Sequence, residues 1–146
     1  MLYQEVLELY NKFRLLHYRR VFGKIRERDG SLSATEAYAV DVIHLLGNPT
    51  LGEFAQCLGL SQPNATYKVN NLIAKGYVCK SVSDEDRREC KLAVTEKFYS
   101  YFGRKNLSIE NGMADMERRY SLQQLDEFIH MLREFSKAME DHFELE

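Results

Sequence analysis

The stretch from Thr50 to Val94 constrains this chain more than any other. Two helix signals stand back to back with one glycine between them, and a two-residue period follows at once. Thr50 with Glu53 is a capping box: the threonine oxygen takes the third amide of a helix, and the glutamate takes the threonine amide. That helix runs through Leu58 and is broken by Gly59. Ser61 caps the next helix, which runs to Lys75, and Gly76 supplies the left-handed residue that ends it. Tyr77 to Val82 is then rich in β-formers, Asp84 to Arg88 is polar and turn-like, and Cys90, Leu92 and Val94 alternate with Lys91 and Ala93. Such alternation is the mark of a hairpin. Two short helices joined by a glycine turn and followed by a hairpin describe a winged helix-turn-helix.

The flanks read as helix. From Leu2 to Ile25 apolar residues recur at three- and four-residue steps, predicting an amphipathic helix that ends near Asp29-Gly30. Ser33 with Glu36 opens another, whose inner face carries Val40, Ile43 and Leu46 before Gly47-Asn48-Pro49 stops it. Beyond Thr95, Phe98, Tyr99, Tyr101 and Phe102 cluster on a further helix. Ser121 with Gln124 caps the last, which bears a stripe from Leu122 through Phe128, Leu132 and Phe135 to Phe143. The expected fold is mainly α with a small β-hairpin wing, flanked by N- and C-terminal helices.

The net charge of −2 argues at first against a nucleic-acid partner. Its distribution argues otherwise. Residues 61–104 hold eight bases against five acids, residues 105–146 five against ten, and the first sixty balance. A mildly basic middle therefore sits beside an acidic C-terminal arm.

The helix opening at Ser61 divides cleanly by face. Ala65, Val69, Leu72 and Ile73 point inward. Pro63, Asn64, Tyr67, Asn70 and Asn71 lie opposite, with Thr66 and Lys68 on the flanks. No acid stands between Ser61 and Lys75. Amides, a phenol and a hydroxyl are groups that exchange hydrogen bonds with base edges, and a carboxylate there would repel phosphate. The helix N-terminus at Ser61 is a natural phosphate site. A solvated polar helix that merely lacks acids is the bland alternative. At the hairpin tip, Asp86-Arg87-Arg88 sets two cations beside one carboxylate. One arginine can enter a narrow minor groove, while the other lies on the backbone or pairs with Asp86. Asp86 can fix their rotamers in advance. A salt-bridged surface turn is the plainer reading.

The segment LSATEAYAVDVIHLLGNPTLGEFAQCLGLSQPNATYKVNNLIAKGY, followed by SDEDRRECKLAVT, resembles the multiple antibiotic resistance regulator (MarR) family. The order of cap, Gly-x-x-Thr, Gly-Leu-Ser, Leu-x-x-x-Gly-Tyr, Asp-Arg-Arg and Leu-x-Val-Thr is shared. The resemblance implies a winged-helix homodimer that represses or activates transcription on a palindromic operator in double-stranded DNA. A repressor relieved by a small-molecule effector is the first expectation. It implies that Asn64, Thr66, Tyr67 and Lys68 meet the major groove, to which the outer face adds Gln62 and Asn71. It implies Arg88 for the minor groove and Arg87, with Ser61, for phosphate. Phe98 stands where the family usually has glycine. By the family layout, residues 1–30 and 100–146 dimerise, and residues 31–99 form the DNA-binding domain.

Family members often bind a phenolic or lipophilic ligand between the arms and the DNA-binding lobe, and Arg14, His17, Tyr18 and Tyr38 are candidates to line such a cleft. Core or surface roles compete for each of them. His17, His44, His130 and His142 show no short ligand spacing, so no metal and no cofactor is expected. Cys57, Cys79 and Cys90 are odd in number and lack CxxC spacing, which fits buried or incidental thiols rather than a disulfide framework or a redox pair. No nucleophile elbow, paired-carboxylate site or phosphate-binding glycine loop points to an enzyme. No apolar run approaches the roughly 20 residues that cross a bilayer, and no signal-peptide core opens the chain, so a cytoplasmic location is expected and no membrane partner. The competing function is a winged-helix module that binds protein rather than DNA.

Overall fold

The computed structural model describes residues 1–23, 31–82, 90–104, 106–140 and 142. Its elements run α1 (Leu2–Phe22), α2 (Ala34–Leu45), α3 (Leu51–Cys57), α4 (Gln62–Ala74), β1 (Val78–Val82), β2 (Cys90–Val94), α5 (Glu96–Phe102), α6 (Leu107–Arg119) and α7 (Leu122–Glu140). They fall into two compact units, residues 1–104 and 105–146. The mainly helical fold with one antiparallel hairpin matches the fold class expected from the sequence.

Local chemistry sets each boundary in the first unit. Ser33 and Glu36 close a capping box on α2, and Thr50 and Glu53 close another on α3. At the far end of α3 the amide of Leu60 donates to the Ala55 carbonyl at 2.9 Å and that of Gly59 to Gln56 at 3.2 Å. The end of α4 repeats this pairing, Tyr77 to Leu72 at 3.0 Å and Gly76 to Ile73 at 2.9 Å. Both are Schellman turns, which need one residue with positive φ after the helix. Gly59 at φ 61° and Gly76 at φ 82° provide it without the clash a side chain would bring.

The core lies where α2, α3, α4 and the hairpin meet. Val40, Ile43, Phe54, Val69, Leu72 and Leu92 are all 1% exposed or less. Val21 from the last turn of α1 and Phe98 and Phe102 from α5 complete it. β1 and β2 pair from Val78↔Val94 to Val82↔Cys90. A further bridge joins Thr50 to Lys91, and the Leu92 amide donates to the Pro49 carbonyl at 2.8 Å. The hairpin is thus stitched to the start of the helix-turn-helix, a link the sequence did not announce.

Two expectations change. Leu46 is the C-cap of α2 and 41% exposed, because the helix ends before its side chain can turn inward; Ala37 and Ala39 join Val40 and Ile43 in the core instead. The cysteines are not buried: Cys57, Cys79 and Cys90 are all exposed. The α1 stripe stays in solvent except at its end, with Val21 its one buried residue. The predicted close of that helix at Asp29-Gly30 lies outside the described residues.

In the second unit, Ser121 and Gln124 cap α7 reciprocally, as the sequence predicts. Neither α6 nor α7 has a buried residue.

Candidate nucleic-acid interface

Helix α4 stands on the core through Ala65, Val69 and Leu72, at 0, 1 and 0% exposure. Ile73, also expected to point inward, is half-buried against them. Fixing that face turns the opposite one outward. Gln62, Pro63, Asn64, Tyr67 and Asn70 are exposed, while Thr66, Lys68 and Asn71 are half-buried along the edges. Tyr67 is 68% exposed, unusual for so large a ring. Among the described residues, no hydrogen bond engages the Asn64 side-chain carboxamide or the Tyr67 phenol. The first turn carries no acid.

Two hydroxyls are engaged by the helix itself. Ser61 Oγ accepts from the Asn64 amide at 3.4 Å, so the expected phosphate contact is first of all a cap. Its O–H can still donate outward. Thr66 Oγ1 donates to the Gln62 carbonyl at 2.9 Å, leaving its methyl as the outward group. The wing residues Asp86, Arg87 and Arg88 lie outside the described residues.

The sequence did not reveal how the other end of α4 is held. Lys75 Nζ donates to the Ser31 carbonyl at 2.9 Å and to Glu36 Oε2 at 2.8 Å. Lys97 Nζ donates to the Lys75 carbonyl at 2.7 Å, and Thr95 Oγ1 to that of Gly76 at 2.6 Å. These partners lie 19 to 44 residues apart in the chain, so no local pattern pointed to them.

Partial burial pushes the Glu36 carboxyl up. The hydrogen bonds from Lys75 and Ser33, with the Lys75 charge, outweigh that and hold it below the ordinary 4.5. The folded chain then binds this proton more weakly than the unfolded chain does. Glu36 stabilises the fold above about pH 4.5, and the gain disappears as pH falls through the lower folded value. Glu36→Gln should flatten the acid limb of the stability curve, read by urea melts between about pH 3 and 6. An unchanged limb would show that Lys75 leaves the carboxyl unaffected.

The four residues proposed for an effector cleft lie near one another, Arg14, His17 and Tyr18 on α1 and Tyr38 on α2. His17 Nε2 lies 3.8 Å from Asp41 Oδ2, and its ring is 6.0 Å from that of Tyr38 and 6.2 Å from that of Tyr18. The Arg14 guanidinium sits 5.4 and 5.8 Å from the centroids of Tyr10 and Tyr18. Hydrogen bonding to Tyr18 raises the Arg14 pKa still further. Asp41 was missed because an acid one helix away leaves no mark near His17. No helix among the described residues is long and apolar enough to cross a membrane, and no group of three or more metal-ligating side chains forms there.

Three solved structures share this fold over nearly the whole chain. The transcriptional regulator Tm0710 of Thermotoga maritima superposes with a TM-score of 0.53 at 19% identity, covering 99% of this chain and 98% of that one. Streptococcus pneumoniae FabT, solved in complex with DNA, gives 0.52 at 24% identity, with 95% and 98% covered. A MarR-like transcriptional regulator of Thermotoga maritima, tm0816, gives 0.52 at 22%, with 92% and 96% covered. No curated protein matches the sequence. Residues 31–89 match the model of the MarR family. By that match residues 31–89 are similar to the MarR family, and the chain shares the fold of the three regulators above.

Proposed function

We propose that the protein is a DNA-binding transcriptional regulator that docks on a palindromic operator as a homodimer. The observation that carries this reading is the exposed, acid-free polar face of α4, mounted on a closed core. FabT, its neighbour in fold, was solved on DNA, which supports the same reading. Residues 31–99 form the reading domain. Gln62, Asn64, Thr66, Tyr67, Lys68 and Asn71 face the major groove, with Asn64 suited to adenine and the Thr66 methyl to thymine. Ser61 and Arg87 meet phosphate, Arg88 enters the minor groove, and Asp86 orients the arginines. Residues 1–30 and 100–146 form the dimer, spacing two reading helices one DNA turn, ~34 Å, apart. It acts as a repressor released by a small ligand in the cleft of Arg14, His17, Tyr18 and Tyr38, with Asp41 as a fifth polar group.

The test is binding to genomic duplex fragments across a salt series. Neutralising six to ten phosphates predicts a fall of roughly 10³-fold or more between about 50 and 200 mM salt. Arg87→Ala should weaken all duplexes alike and reduce the salt slope by about one per subunit. Absence of binding to any fragment at low salt would sink the reading in favour of a protein-binding module.

A further inference from the structure

Helix α4 is held by two kinds of force. Its inner face packs through apolar contact, which is non-directional. Its C-terminal end is gripped by directional bonds from both sides. On one side, Lys75 reaches α2, where Glu36 Oε2 accepts it at 2.8 Å. The same oxygen accepts the Ser33 amide at 2.8 Å, so the atom that caps α2 also anchors α4. Both side chains are largely covered, Lys75 29% exposed and Glu36 19%. On the other side, Lys97 from α5 takes the Lys75 carbonyl and lies 4.7 Å from the centroid of the buried Tyr77 ring. The Schellman turn uses the Leu72 and Ile73 carbonyls and leaves those of Lys75 and Gly76 for Lys97 and Thr95. Cations at this end also suit the helix dipole.

We propose that Glu36, Lys75 and Lys97 form a brace that sets the roll and tilt of α4, and so act as positioning residues for base discrimination. The proposal rests on the DNA-binding reading above. Base contacts require side chains held within about 0.5 Å and 10–20° of the productive geometry. Asn64 lies in the first turn of α4, the end opposite Lys75, and Tyr67 lies near its middle, so a small tilt at Lys75 moves Asn64 most and displaces Tyr67 as well. Phosphate contacts tolerate such movement, because a flexible cation follows the charge.

The experiment compares Glu36→Gln and Lys97→Met with the wild type. Each is measured against a genomic fragment that the wild type selects and against an unrelated duplex at the same salt. Glutamine can still cap α2, so the first variant removes the charge pair while keeping the helix start. The ratio of the two affinities should fall roughly tenfold in each variant, the loss expected when one base contact is misplaced. Lys97→Arg should restore it, and amide exchange at Leu72 to Gly76 should quicken in Lys97→Met. An unchanged ratio with a lowered Tm, or an equal loss on both duplexes, would overturn the brace while leaving DNA binding intact. A wild type that binds no duplex would overturn the DNA reading itself, and the brace's role with it.

Discussion

Phe54→Ala is expected to cost about 3–5 kcal/mol, the range for deleting a fully buried ring. Phe54 is 0% exposed on α3, the first helix of the helix-turn-helix. Helix α3 has only seven residues, too short to persist without tertiary support. It is pinned by its capping box, its Schellman turn and this one aromatic, which packs in the same cluster as Leu72 and Leu92. Removing the ring leaves a cavity that backbone held at both ends cannot close. A domain of this kind has about 5–15 kcal/mol in total, so the variant should melt far below the wild type. Urea denaturation followed by circular dichroism measures it. A loss under about 1 kcal/mol would mean the core collapses around the gap.

The second large effect concerns assembly. On α7, Ile129, Leu132, Phe135 and Met139 recur at three- and four-residue steps and are 40, 45, 46 and 49% exposed. Such a stripe marks a surface that binds something. In the proposed homodimer it meets a second copy, and each large apolar side chain buried there contributes roughly 1.5–3 kcal/mol. Leu132→Glu combined with Phe135→Glu replaces that gain with desolvated like charges. The double variant should sediment as a monomer with its helix content retained. Two linked half-sites bind more tightly than one, so its operator affinity should drop by roughly 10²–10⁴-fold. A variant that stays dimeric would move the interface away from this stripe, to α1 or α6.

Several elements were legible because their signals are local. Ser33-Glu36, Thr50-Glu53 and Ser121-Gln124 each became the capping box the sequence predicts. Gly59 and Gly76 became the helix stops, since each holds a backbone angle other residues resist. The inward and outward faces of α4 followed from a 100° step per residue. Leu46 failed for an equally local reason. Periodicity marks which side a residue would take, not the residue at which the helix ends, and here the end came one position earlier.

While α6, capped by Asn106, went unread, the sequence by itself determined the order of elements from α1 to α5, the start of α7 and which side of α4 is polar. These depend on residues within about four positions of one another, a range over which caps, glycines and periodicity act. Only the tertiary structure decided that Pro49 and Thr50 would join the hairpin, that Glu36 would hold Lys75, and that Lys97 would close the end of α4. Those partners are 22 to 43 residues apart, and each bond forms only after the apolar faces of α2, α4 and α5 have brought the chain together. The helix that opens at Ser61 was therefore visible in the sequence, and the orientation in which it is held was not.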